Sequence, residues 1–164
     1  MNHPVSVAVE PPRQPDVELL LQGSTTYAQS LGYPPEANFL LDVAQLERAE
    51  VRVYVARTGD GTAVGIAAIV DGRGDGTGDL GELKRMFVAD SARGLGVAGR
   101  LLHAIETDAS SRGLRQIVLE TGTLHLPAQA LYAKHGYRRI PAFGQYVGEP
   151  YSVCMAKDLG APRL

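Results

Sequence analysis

The chain has 164 residues and a mass of 17.5 kDa, so we expect residues 1–164 to form a single domain. Its formal net charge of -2, from 16 lysines and arginines against 18 aspartates and glutamates, disfavours binding to nucleic acid or to an anionic membrane. The single cysteine, Cys154, can form neither an internal disulfide nor a multi-thiolate metal site. We therefore expect a cytoplasmic protein that needs no metal and does not associate with membranes.

Strand and helix patterns alternate along the chain. In order, the sequence predicts a strand at 5–10, helices at 16–31 and 42–47, strands at 51–55, 64–70 and 80–88, a helix from Gly94 to Gly113, a strand at 117–119, a helix at 127–135, and strands at 137–140 and 151–156. Asp60-Gly61 predicts a hairpin turn, and the glycine-rich segment 71–79 predicts a loop. This order is typical of an α/β or α+β domain built on a mixed sheet.

A glycine-rich turn precedes the long amphipathic helix. It reads Arg93-Gly94-Leu95-Gly96-Val97-Ala98-Gly99, and no Ser, Thr, Asp or Asn lies between Gly94 and Ala98 to cap the helix. The first N–H groups of that helix are therefore available to an external acceptor. The helix dipole favours an anion there, so the turn predicts a phosphate site.

Three interpretations of this turn are open. Gly94, Gly96 and Gly99 match the G-x-G-x-x-G pattern of dinucleotide-binding proteins, and Glu120 lies about 20 residues beyond the turn, as that pattern requires. However, residues 89–93 separate the turn from its strand, and residues 100–164 are too few to complete a doubly wound sheet. A purely structural helix start is the second interpretation. The third is a coenzyme A site.

The third interpretation follows from a family resemblance. Residues 93–98 resemble the Arg/Gln-x-x-Gly-x-Gly/Ala motif of the GNAT family of acetyl-CoA-dependent N-acetyltransferases, and the blocks at 82–88 and 130–137 resemble that family in order and spacing. The resemblance covers nearly the whole chain. It implies a mixed, mostly antiparallel sheet of about six to seven strands with about four helices. It also implies direct transfer of an acetyl group from acetyl-CoA to a primary amine, with both substrates bound together.

The resemblance further implies which residues hold the coenzyme. The pyrophosphate would lie on the N–H groups of residues 94–99. The pantetheine arm would pair with β-strand backbone like an added strand. One departure concerns His125, which stands where the family often has Asn or Gln in contact with the coenzyme. The expected coenzyme-binding residues are Met86, Phe87, Val88, Arg93, Gly94, Leu95, Gly96, Val97, Ala98, Gly99 and His125.

Acetyl transfer to an amine needs a proton acceptor for the ammonium, whose pKa is near 10, and a proton donor for the departing thiolate. Glu82 is the candidate base, directly or through water, with a surface ion pair as the alternative. Tyr132 is the candidate acid, because the resemblance implies a position beside the coenzyme sulfur. Strand alternation predicts one face with Glu82, Lys84 and Met86 and the opposite face with Leu83, Arg85 and Phe87.

The acceptor is not encoded in a readable motif. Aromatic and polar residues in the early helical region and the late loop are the candidates to line its pocket: Tyr27, Tyr33, Asn38, Phe143 and Tyr146. Small amines, amino acids, antibiotics, peptide N-termini and lysine side chains all stay open as acceptors, and so does a homodimer. A non-catalytic acyl-CoA-binding module is the alternative from another functional class, and the presence of both Glu82 and Tyr132 disfavours it.

Overall fold

The structure, a computed structural model, describes residues 4–72 and 78–160. The elements are β1 (Val5–Val9), α1 (Pro15–Ser30), α2 (Val43–Leu46), β2 (Val51–Thr58), β3 (Ala63–Asp71), β4 (Leu80–Val88), α3 (Val97–Ser111), β5 (Gln116–Gly122), α4 (Leu126–Lys134), β6 (Arg138–Ile140) and β7 (Ser152–Asp158). Each predicted strand and helix is confirmed, with bounds that differ by a few residues. The predicted glycine-rich loop falls largely on residues 73–77, outside the described residues.

In the described part of the chain, the strands form one sheet in the order β1-β2-β3-β4-β5-β7-β6. Every pair of neighbours is antiparallel except β4 and β5, which are parallel. This arrangement confirms the expected mixed, mostly antiparallel sheet. None of the helices among residues 4–72 and 78–160 has both the length and the apolar character needed to span a membrane.

The two faces of the sheet carry separate cores. On the face that we call the α1 face, Val17 and Leu46 pack with Ile66 and other apolar strand residues. On the opposite α3 face, Leu101 and Tyr132 belong to the larger cluster, which includes buried residues of most of the strands. Helices cover both faces of the sheet because α1 and α3 each carry an apolar stripe that must be removed from water.

The parallel pair β4 and β5 separates halfway along its length. Pairing runs from Leu80 opposite Gln116 to Leu83 opposite Leu119 and then stops. Lys84, Phe87 and Val88 pair only with β3, and residues 120–122 pair only with β7. Two strand edges therefore face each other across a gap in the middle of the sheet, with backbone N–H and C=O groups available to a ligand.

A β-bulge in β4 lies beside this gap. Between the residues paired with Lys84 and Phe87, β3 has only Ala67, whereas β4 has both Arg85 and Met86. Arg85 has a φ of 60°, which is uncommon for a residue other than glycine. The extra residue shifts the alternation of side chains by one position along the rest of the strand.

The bulge overturns the predicted division of β4 side chains between the two faces. Met86 packs against the core of the α3 face, whereas Phe87 packs against the core of the α1 face. Arg85 also reaches the α1 face, where it contacts helix α1. The prediction that Met86 shares a face with Glu82 and Lys84 is wrong, because simple alternation does not hold across an inserted residue. The prediction that Arg85 and Phe87 share a face with Leu83 is wrong for the same reason.

Candidate active site

A cavity of about 350 Å³ lies at the gap between β4 and β5. Its walls come from α1, the segment between α1 and α2, both free strand edges, the turn before α3, and α4. We call one part the helix end, lined by Val88, Arg93, Ala98, Ala128 and Tyr132. We call the other part the aromatic end, lined by Tyr33, Phe39, Leu40, Glu120 and Tyr151.

The turn at the helix end exposes backbone amides. Gly94 and Gly96 have φ values of 82° and 75°, and a Cβ on either would contact nothing within 4 Å. No side chain caps α3 at Gly96, and the first hydrogen bond of the helix runs from the Arg100 amide to the Gly96 carbonyl at 3.1 Å. The three amides that follow Gly96 therefore precede the helical hydrogen-bond ladder, as an anion site requires.

The other residues of the turn have different surroundings. Leu95 is exposed, whereas the side chain of Val97 is buried in the core of the α3 face. A Cβ at Gly99 would lie 3.1 Å from the His135 ring, so this position needs a small residue for packing. Arg93 lines the cavity, and its Nε lies 3.1 Å from a carboxylate oxygen of Asp90. The turn therefore offers backbone groups, with Arg93 as its charged side chain at the cavity.

His125 caps helix α4 and also lines the cavity. Its Nδ1 accepts a hydrogen bond from the Ala128 amide at 3.2 Å, and its ring lies edge-on to Tyr27 at a centroid distance of 5.2 Å. Burial lowers the pKa of His125, and the charge of Arg93 lowers it further. The ring is therefore neutral near pH 7, with Nδ1 as the acceptor and Nε2–H as a donor.

Tyr132 projects from α4 into the core of the α3 face and lines the cavity. It is only 7% exposed, and its ring packs edge-on against Tyr137 at a centroid distance of 5.7 Å. Burial raises the pKa of the Tyr132 phenol, because the ionised form is poorly solvated there. The hydroxyl is therefore held protonated at the helix end and can act as a proton donor.

Two carboxylates on the α1 face differ in their access to the cavity. Glu82 is 2% exposed, accepts a hydrogen bond from the Tyr146 hydroxyl at 2.5 Å, and is absent from the described residues that line the cavity. Glu120 does line the cavity and accepts a hydrogen bond from the Ser152 hydroxyl at 2.7 Å. Burial raises the pKa of Glu120, while the positive charge of Lys84 partly lowers it.

Lys84 connects the buried carboxylate to the aromatic end. Its Nζ donates hydrogen bonds to the Phe39 carbonyl at 2.7 Å and to the Tyr146 hydroxyl at 2.9 Å, and it lies 3.7 Å from a Glu82 oxygen. A chain of polar groups therefore runs from Glu82 through Tyr146 and Lys84 to the cavity wall, where its charge reaches Glu120.

Tyr33 closes the aromatic end. Its hydroxyl accepts a hydrogen bond from the Leu124 amide at 2.6 Å, and its ring packs edge-on against Tyr151 at a centroid distance of 5.7 Å. A Cβ at Gly122 would collide with this hydroxyl, so glycine allows the close approach. Of the residues expected to line an acceptor pocket, the structure places three at the cavity, Tyr27, Tyr33 and Asn38, and two outside its lining, Phe143 and Tyr146.

Sequence reasoning missed two residues at this cavity. The sequence motifs single out Glu120 only as the acidic residue of a dinucleotide pattern, although it follows the apolar run at 117–119 and shares a strand face with Val118. Strand alternation predicts that Arg85 lies on the face opposite to Glu82 and Lys84, whereas in the structure it lies on the α1 face. Its position depends on the bulge, for which the sequence carries no signal. Across residues 4–72 and 78–160, the structure brings no three His, Cys, Asp or Glu side chains together as a metal site would.

Comparisons with known proteins complete the description. The chain matches the sequence model of the acetyltransferase (GNAT) family over residues 18–137. It is 41% identical over 155 residues to an IAA acetyltransferase of Azospirillum brasilense, with 94% of this chain and 98% of the relative covered. It is 32% identical to the uncharacterized N-acetyltransferase YsnE of Bacillus subtilis, over 81% of this chain and 86% of that protein. A solved structure described as an acyl-CoA N-acyltransferase from Klebsiella pneumoniae superposes with a TM-score of 0.77 at 28% identity, covering 95% of this chain and 98% of that one.

Proposed function

Because the chain belongs to the GNAT family of acetyltransferases, we propose that it transfers an acetyl group from acetyl-CoA directly to a primary amine. The observation that carries this proposal is the gap between β4 and β5. It combines a free strand edge, an uncapped helix N-terminus and a half-buried carboxylate around one cavity. Coenzyme A has an extended, amide-bearing arm and a pyrophosphate, which match the first two of these features.

The helix end would hold the coenzyme. The pantetheine arm would add to the free edge of β4 at Met86, Phe87 and Val88, through main-chain hydrogen bonds. The pyrophosphate would accept hydrogen bonds from the amides at the start of α3, where Gly94 and Gly96 leave space for its oxygens. Arg93, Ala98 and His125 line the same cavity, whereas Leu95, Gly96, Val97 and Gly99 belong to the adjoining turn and the start of α3 without lining it.

The two proton transfers would take place on opposite faces of the sheet. Glu120, on the α1 face, would take a proton from the attacking amine. Tyr132, on the α3 face, would give its proton to the departing thiolate, and solvent would then restore both groups. A backbone N–H of the β4 edge, at Phe87 or Val88, would donate to the oxyanion that forms between them.

Glu82 would act through its neighbours. Because it lies behind the cavity wall, it would hold Tyr146 and Lys84 in place and fix the charge beside Glu120. This makes Glu82 a positioning residue in the proposed mechanism, while Glu120 touches the acceptor. Glu120 replaces Glu82 as the proposed base because Glu120 lines the cavity and Glu82 does not. A base must come within hydrogen-bond reach of the proton that it removes.

The proposal is tested by ligand-induced stabilisation and by thiol release. Acetyl-CoA is expected to raise the melting temperature, whereas NAD is expected to leave it unchanged. Thiol release from acetyl-CoA is expected to depend on an added primary amine, in a panel of alkyl, aromatic and amino acid amines. Stabilisation by NAD would point instead to a dinucleotide site. Stabilisation by acetyl-CoA without thiol release from any amine would identify a non-catalytic binding module.

A further inference from the structure

Arg85 is a buried cation with no carboxylate partner among residues 4–72 and 78–160. Its side chain is 8% exposed, and its Nη2 donates to the Leu21 carbonyl at 2.8 Å and to the Thr25 hydroxyl at 3.0 Å. Its Nε has no hydrogen-bond acceptor among the described residues. Burial lowers the pKa of this guanidinium to about 10, and no neighbouring anion opposes the shift. A buried charge in this condition favours the binding of a counter-ion.

Arg85 lines two cavities. It lines the main cavity at the gap, and it also lines a groove of about 530 Å³ between α1 and residues 40–43. Leu40 borders both spaces as well. Most of the remaining groove lining is apolar, including Leu19, Leu41 and Val43. Because Arg85 lines the cavity at the gap, a ligand in that cavity can contact it without entering the groove.

The charges around the groove favour an anion at its base. Two carboxylates, Glu18 and Asp42, line the groove, and both are exposed to solvent. Asp42 already accepts a hydrogen bond from the Gln45 amide at 2.8 Å. Exposed charges are weakened by water and salt, whereas the charge of Arg85 acts from a buried position. The bulge also puts Arg85 on the same face of the sheet as Glu120, at the same cavity.

We propose that Arg85 binds a carboxylate of the acceptor, so that the acceptor class is primary amines that carry a carboxylate. This inference rests on the proposed acetyl transfer. The amine would lie near Glu120, and the carboxylate would accept hydrogen bonds from the guanidinium of Arg85 at the cavity. A guanidinium presents several donors in one plane, which matches the planar carboxylate better than it matches a neutral amide. The aromatic side chains that line the same cavity would contact the body of the acceptor.

Matched acceptors test this substrate class on the unaltered protein. One set consists of 4-(aminomethyl)benzoate, its amide and benzylamine, and a second set compares 4-aminobutyrate and 6-aminohexanoate with butylamine and hexylamine. We expect at least one carboxylate to exceed its neutral counterparts by about tenfold or more in kcat/KM, measured by thiol release. Equal or better turnover of the neutral amines in both sets would overturn the inference and leave the proposed function standing.

Variants of Arg85 show whether this residue causes the preference. Arg85→Gln and Arg85→Lys are expected to reduce the ratio of kcat/KM between carboxylate and neutral acceptors to near one. Arg139→Gln, at an exposed arginine on β6, is the matched control and is expected to keep the ratio. Stabilisation by acetyl-CoA shows that each variant is folded. A ratio that survives in folded Arg85→Lys and Arg85→Gln would overturn the assignment.

A binding measurement separates this inference from the proposed function and does not depend on the variants. Benzoate and 4-methylbenzoate, which have no amine, are expected to raise the melting temperature and to compete with the carboxylate acceptor. If they bind but no amine releases thiol, the proposed function fails while the carboxylate site stands. If amines release thiol but neither carboxylate binds or competes, the inference fails and the proposed function stands.

Discussion

The two ends of the cavity are built in different ways. The helix end depends on a short continuous segment, residues 93–99, which presents backbone amides at the start of α3. The aromatic end is assembled from side chains of the segment between α1 and α2, of β5 and of the residue before β7. Backbone amides bind an anion with few demands on side-chain identity, whereas side chains define the shape and charge of their own ligand. The difference would account for a readable motif at the proposed coenzyme site and for the lack of one at the proposed acceptor site.

The residues proposed for the two proton transfers lie at the gap on opposite faces of the sheet. Tyr132 belongs to the α3 face, together with Met86, whereas Glu120, Lys84 and Arg85 belong to the α1 face. In the proposed reaction the thiolate would leave near one face, and the amine would arrive from the other. Substitutions at the helix end should therefore change the use of acetyl-CoA, and substitutions at the aromatic end should change the use of the acceptor.

The most severe test of this division is Gly96→Glu. The substitution adds a Cβ at a φ of 75° and a carboxylate at the proposed pyrophosphate position. We expect the affinity for acetyl-CoA to fall at least about 1000-fold, equivalent to about 4 kcal/mol. The measurement is acetyl-CoA binding by calorimetry or by thermal stabilisation.

Gly113→Glu is the matched control for backbone strain. Gly113 has a φ of 90° at the opposite end of α3, and a Cβ there would contact nothing within 4 Å. This variant is expected to lose stability but to keep its acetyl-CoA affinity. Normal acetyl-CoA binding by Gly96→Glu would show that the turn does not hold the pyrophosphate, and the helix end would lose its assigned role.

The next largest effect is expected from Tyr132→Phe, which removes the proposed acid and keeps the buried ring. We expect kcat to fall about 100- to 1000-fold while acetyl-CoA affinity changes little. Tyr137→Phe is the control, because Tyr137 packs against Tyr132 but donates its hydroxyl to Glu106 at 3.0 Å. It should lower stability more than turnover. An unchanged kcat in Tyr132→Phe would remove the acid role.

The fold was predicted from the sequence largely because its patterns are local. The amphipathic stripe of α3 and the apolar runs of the strands each identify an element from neighbouring residues. The bulge at Arg85 was not predicted, because neither a glycine nor a proline marks it and its register depends on pairing with β3.

The candidate site was predicted unevenly for the same reason. Residues 93–99 are contiguous, so a motif identifies them, whereas the access of Glu120 to the cavity depends on where β4 and β5 separate. Strand alternation also cannot say that Tyr146 covers Glu82 and leaves Glu120 at the cavity. Long-range packing decides that question, and no local pattern records it.

A paired comparison of Glu120→Gln and Glu82→Gln sharpens the assignment at the aromatic end. Glu120→Gln is expected to lower kcat/KM about 10- to 100-fold. Burial raises the pKa of Glu120 above its ordinary value of 4.5, and only the ionised form accepts a proton. Activity of the unaltered protein should therefore rise with pH through a midpoint above 4.5, in addition to the rise from deprotonation of the amine itself. In Glu120→Gln, the rise in activity at the lower pH, which we attribute to Glu120, should be absent.

Glu82→Gln should keep the rise in activity at the lower pH, because Glu120 is still present and the new amide oxygen still accepts the hydrogen bond from Tyr146. Its loss of kcat/KM should be smaller than that of Glu120→Gln. The pH profiles of both variants, measured with one acceptor at saturating acetyl-CoA, provide the comparison. If Glu82→Gln loses the rise in activity at the lower pH while Glu120→Gln retains it, Glu82 is the base, and the role proposed for Glu120 is wrong.

The smallest effect is expected at His125, where two roles meet at the helix end. His125→Ala removes the cap of α4 and should cost about 1 kcal/mol of stability, and His125→Asn should restore most of it. Since burial lowers the pKa of His125 below 6.5, protonation occurs more readily in the unfolded chain. This contribution to stability should therefore decline as the pH falls through 6.5 and below, and chemical unfolding at several pH values measures it.

If Nε2–H of His125 also contacts the coenzyme, the affinity for acetyl-CoA should fall as well. His125→Ala should then weaken acetyl-CoA binding by more than its loss of stability explains. If His125→Ala and His125→Asn bind acetyl-CoA as the unaltered protein does, His125 only caps α4. The coenzyme would then be bound at the helix end through the backbone and Arg93.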